Sequence, residues 1–155
     1  DAQRRVRETG TIPRLVQLLS TGALPLQALS AMALRACATS DPAVAILCEA
    51  NIVEAASNLL KPTNHPALHA CGALLLMEIS SRPIAQREII NGCGATSVKG
   101  LGSLMSDVLQ QLCVHMESEV PAVSAAVGST LDNVASSADG AAALASDALV
   151  VSKLQ

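Results

Sequence analysis

His65 and His69 stand four residues apart, with Cys71 two residues further on. Two imidazoles at that spacing on a helix share one face and can hold a metal between them. The residues between them are Pro-Ala-Leu, so the glutamate that acts as general base on a metalloprotease helix is missing. A helix also turns Cys71 onto a different face from His69. The pair is therefore read as two histidines at the start of a helix, with no metal, and Cys113-Val-His115 is a weaker form of the same pattern. Metal analysis of the purified protein tests this, and stoichiometric zinc would overturn it.

The other reactive-looking stretches fare no better. Gly92 to Gly100, "GCGATSVKG", has the glycines and lysine of a phosphate loop. It lacks the Gly-Lys-Ser/Thr order and follows "AQREII", which reads as helix and not as a strand. It is expected to be a corner between helices. No serine lies in Gly-x-Ser-x-Gly, and no histidine and acid are spaced to complete a triad. Arg4, Arg5, Arg7 and Arg14 form a basic cluster that reads as a solvated helix face. Neither an enzyme nor a cofactor is expected.

Composition narrows the partners. The chain of 155 residues has no Phe, Tyr or Trp, which removes the platforms on which single-stranded nucleic acids stack. A formal net charge of -3 removes the general attraction to phosphates, so nucleic acid is excluded. No run reaches the roughly 18 apolar residues that a membrane span requires, because Gln27, Arg35 and Glu78 interrupt the candidates. The five cysteines are odd in number and scattered through apolar contexts, as reduced, buried, intracellular thiols would be. Cytoplasm is the expected place, with the cytoskeleton or cilium open.

The elements that carry these residues repeat. "ALRACATSDPAVAILCEANIV" from Ala33, "LLMEISSRPIAQREIINGCGA" from Leu75 and "TLDNVASSADGAAALASDALV" from Thr130 align without gaps. Leu34 falls on Leu76 and Leu131, and Cys37 on Ile79 and Val134. Pro25, Pro66 and Pro121 each precede a helical run, the place where a helix tolerates proline. The spacing is 42 residues and then 55, a helical period that lengthens once. Apolar spacing predicts helices over about Pro42–Cys48, Ile52–Leu60 and Pro66–Ser80, with no competing strand pattern. The extra length is expected near 106–119, as an extended or additional helix carrying Val108, Leu112 and Met116. The units are then about 1–40, 41–81 and 82–137, with 138–155 beginning another.

"TGTIPRLVQLLSTGALPLQALSAMALRACATSDP", Thr9 to Pro42, resembles the armadillo repeat in its Gly-x-Ile-Pro-x-Leu-Val-x-Leu-Leu entry and its Ala-Leu-x-x-x-Ala ending. The resemblance covers nearly the whole chain and implies an all-α fold, a right-handed α-solenoid of about three armadillo-like three-helix repeats. It implies that the third helices line a concave groove in which an asparagine ladder clamps an extended peptide. The position of that asparagine holds Ala36, Glu78 and Asn133, and the position one turn earlier, tryptophan in nuclear import adaptors, holds Met32, Leu74 and Ser129. The ladder is mostly missing, since a methyl group neither donates nor accepts a hydrogen bond.

A non-enzymatic scaffold or adaptor that binds other proteins through the concave face is therefore expected. A protein surface docking on Met32, Leu74 and Met77 suits it if they are exposed; packing of Met32 and Leu74 as ordinary core is the other reading. A structural subunit locked into a cytoskeletal or ciliary assembly and a nuclear import adaptor are the alternatives. Neither end has the polar cap of a terminal repeat, so the chain is expected to continue into further repeats.

Overall fold

The computed structural model describes residues 10–91 and 107–145, and the described residues form nine α-helices and no strand. They are α1 (Thr11–Thr21), α2 (Leu24–Cys37), α3 (Asp41–Glu49), α4 (Ile52–Leu59), α5 (Pro66–Ser80), α6 (Pro83–Asn91), α7 (Asp107–His115), α8 (Pro121–Ala135) and α9 (Ala138–Ala145). None of the helices among the described residues is long and apolar enough to cross a membrane.

Prolines and left-handed residues set the helix starts. Pro25, Pro66 and Pro121 occupy the first turns of α2, α5 and α8, where the missing N–H leaves no bond unmade. The residue before α1 is Gly10 at φ 65°, and the residue before α4, 41 positions later, is Asn51 at φ 59°. The same left-handed corner thus recurs, filled by the two residue types that adopt it most readily.

The helices pack in three rows. α2 lies against α5 and α5 against α8; α1 against α4 and α4 against α7; α3 against α6 and α6 against α9. Each helix therefore meets its counterpart one period along the chain. The core runs continuously through the rows, with Leu19, Leu34, Leu47, Leu60, Leu76 and Ile89 all 0% exposed. It is built almost wholly of aliphatic and small side chains, as the aromatic-free composition requires.

The rows correct the place of the insertion. The extra length was expected near 106–119, as an extended or additional helix, yet α7 within that stretch packs on α4 and α8 in the place of a second helix. Fifteen residues separate α6 from α7, where two separate α3 from α4. The surplus therefore falls in residues 92–106, outside the described residues.

Gly128 lies inside α8 with nothing within 4 Å of the position a Cβ would take. Gly128→Ala is expected to raise stability by about 0.5–1 kcal/mol, since it adds helix propensity without a clash. Chemical denaturation checks the sign.

Candidate functional site

The three long helices present one face in common. On it Met32 is 65% exposed and Ala36 is exposed; Leu74 and Glu78 are half-buried; Ser129 is exposed and Asn133 half-buried. Met32 and Ala36 lie on α2, Leu74 and Glu78 on α5, and Ser129 and Asn133 on α8, three helices that pack in sequence. Of the three apolar anchors, Met32 stands free of the core, whereas Leu74 and Met77 pack against it with part of each side chain. The face therefore offers an exposed thioether beside a shallow apolar floor.

Polar groups on this face are partly engaged with one another. Arg35 Nε lies 3.7 Å from Glu78 Oε2, bridging α2 and α5 with both side chains nearly half exposed. At that exposure the pair adds little stability and remains open to a charged partner. Asn133 Nδ2 donates to Ser80 Oγ at 3.0 Å, tying α8 to α5. Ser80 Oγ in turn donates to the Met77 carbonyl at 3.0 Å. The asparagine that matches a peptide-clamping ladder thus spends an amide hydrogen inside the protein.

The histidines are caps. His65 Nδ1 accepts the Ala67 N–H at 3.1 Å and begins α5. His69 Nε2 donates to the Lys61 carbonyl at 3.0 Å. One period earlier Gln27 Nε2 donates to the Leu19 carbonyl at 3.0 Å, with the same eight-residue reach. His69 therefore fills a glutamine's structural place, as a second donor to a carbonyl just beyond α4 that also accepts the Asn64 N–H at 2.9 Å. His115, buried on α7, donates from Nε2 to the Leu60 carbonyl at 2.6 Å, and its ring lies 4.7 Å from that of His69. Among the described residues no group of three or more His, Cys, Asp or Glu side chains is placed to hold a metal ion.

Cys37 and Cys113 are buried free thiols, and Cys48 and Cys71 are half-buried ones. Burial and then the Glu88 and Glu49 carboxylates push the Cys48 thiol up to about 11. Burial also raises Cys71. At pH 8 Cys48 is expected to carry about a hundredfold less thiolate than an ordinary free cysteine, and to be alkylated correspondingly slowly. Mass-spectrometric mapping of iodoacetamide labelling against time measures this, with an unfolded sample as the reference. Cys93, the "GCGATSVKG" stretch, Arg4, Arg5 and Arg7 lie outside the described residues; Arg14 is exposed on α1, beside a shallow depression that Gln17 and Thr21 also line.

No protein-family model matches the chain, and no curated protein does either. Solved structures do. The crystal structure of an engineered protein, a target of the Northeast Structural Genomics Consortium, matches 98% of the chain with a TM-score of 0.74 at 22% identity. That likeness is one of fold. The chain spans 62% of the length of the engineered protein.

Sequence reasoning passed over Leu26 and Leu29, which are 47% and 61% exposed on α2. Their counterparts in α5 and α8 are Leu68, Cys71, Val123 and Ala126, residues of ordinary core type, so the repeat alone reads Leu26 and Leu29 as core.

Proposed function

We propose that the chain is a non-enzymatic scaffold that binds other proteins through the face shared by α2, α5 and α8. In this reading it is a right-handed α-solenoid of about three armadillo-like repeats, part of an intracellular adaptor. The observation that carries the proposal is the side-by-side packing of the three long helices with Met32, Ala36 and Ser129 exposed across them. Stacked units of this kind make an extended surface, and extended surfaces suit macromolecular partners.

The chemistry of the face favours a folded surface over an extended peptide. Peptide clamping needs a row of amides, and the row here is a methyl group, a carboxylate paired with Arg35, and an amide occupied by Ser80. A nuclear import adaptor is disfavoured for the same reason. Met32 offers a flexible apolar anchor, and the half-exposed Arg35–Glu78 pair offers one charge of each sign to a partner.

The test is substitution on exposed positions. M32E, A36R and S129R should leave the circular dichroism spectrum unchanged and weaken capture of the partner that the unaltered protein recovers by at least about tenfold. Undiminished capture by all three variants would overturn the assignment of the face.

A further inference from the structure

The fold brings together two histidines that the sequence keeps far apart, and the pair is neither His65 with His69 nor Cys113 with His115. His69 comes from α5 and His115 from α7, with ring centres 4.7 Å apart and planes tilted by 58°. His115 is buried and His69 half-buried. Their Nε2 atoms reach consecutive backbone carbonyls, His115 the Leu60 oxygen at 2.6 Å and His69 the Lys61 oxygen at 3.0 Å. Two imidazole nitrogens and two carbonyl oxygens therefore crowd one short stretch of backbone just beyond α4.

The spacing is that of a chelate. A metal ion about 2.1 Å from each Nε2 lies roughly 3.2 Å from each ring centre, so rings 4.7 Å apart place the two nitrogens at about 95° on the ion. A right angle suits nickel, and a small opening of the rings reaches the tetrahedral angle of zinc. Imidazole is a ligand for both, whereas magnesium takes oxygen.

We propose that His69 and His115 are the ligands of a divalent transition metal ion, zinc or nickel, with the Leu60 carbonyl as third donor and water completing the shell. Each ring moves its proton from Nε2 to Nδ1 and gives the freed lone pair to the metal. The Lys61 oxygen keeps the Asn64 N–H at 2.9 Å when His69 turns to the ion, and the Leu60 oxygen exchanges the His115 hydrogen for the ion itself. The metal then ties α5 and α7 to the end of α4, across two successive periods of the chain. The repeat also supplies a control. Gln27 makes to the Leu19 carbonyl the bond that His69 makes to Lys61, so H69Q keeps the hydrogen bond and loses the imidazole.

Thermal unfolding of the 155-residue protein, made without a histidine tag, tests the site with zinc, nickel and magnesium chlorides. Millimolar zinc or nickel should raise Tm by about 5 °C or more, and magnesium should leave it unchanged. H69Q should fold as the parent does and lose the shift. Proton NMR of the parent reads the ligands directly should H69Q fail to fold. One equivalent of zinc should move the imidazole resonances of His69 and His115 together and leave those of His65 in place. A Tm indifferent to both zinc and nickel overturns the proposal, as does a shift that H69Q retains, or zinc that moves His65 and His69 and leaves His115.

Discussion

Gly72→Ala lowers the stability of the protein by about 1–3 kcal/mol, the cost of overpacking a core that cannot yield. A Cβ at this position would stand 2.7 Å from the Ala56 carbonyl oxygen and 3.0 Å from Leu59 Cβ. Both atoms belong to α4 and neither can swing aside, so the clash is met by moving α4 away from α5. Two effects compete. Alanine in mid-helix gains roughly 1 kcal/mol of propensity over glycine. The contact with backbone exceeds that gain because α4 and α5 are held together by Leu59, Leu60, Leu75 and Leu76, all 2% exposed or less. Urea unfolding should show a lower midpoint at unchanged slope. A midpoint raised by Gly72→Ala, as Gly128→Ala is expected to raise it, would show that α4 and α5 are not closely packed.

Leu76→Ala has the larger expected effect, a loss of about 3–5 kcal/mol, because it removes buried methyl groups and leaves a cavity. Leu76 is 0% exposed near the C-terminal end of α5, the helix that meets α2, α4, α6 and α8. A loss of that size is a large share of the 5–15 kcal/mol typical of a whole domain. The same truncation at Leu29, 61% exposed on α2, is expected to change stability by less than about 0.5 kcal/mol. The contrast between two leucines of adjacent long helices is readable by thermal unfolding. Equal effects would mean that burial in the three rows does not govern stability.

What was legible in the sequence was local. Pro66 and the apolar spacing behind it placed α5 at Pro66–Ser80, and α3 and α4 lie within a residue of their expected bounds. A proline in the first turn and a left-handed corner act over a few residues, so a linear reading finds them. The insertion was misplaced for a complementary reason. Val108 and Leu112 announce a helix, but periodicity does not say which neighbour its apolar side covers, and only the contact with α4 makes α7 a second helix.

The interactions of the candidate residues were not legible in the sequence. Counting along the repeat brought Met32, Leu74 and Ser129 to one line and Ala36, Glu78 and Asn133 to the next. Nothing in the identity of Asn133 announces that Ser80, 53 residues earlier, accepts its amide hydrogen. Histidine at position 69 likewise hides its equivalence to Gln27, because unlike side chains make the same bond to a carbonyl eight residues back.

Site-specific photo-crosslinking tests the scaffold function most directly. A benzoylphenylalanine placed singly at Met32, Ala36 or Ser129 is compared with one at Glu54 or Arg87, which are exposed on α4 and α6. The account predicts that the first three positions capture one and the same protein partner and that the last two do not. Capture from Glu54 and Arg87 with none from Met32, Ala36 or Ser129 would contradict it.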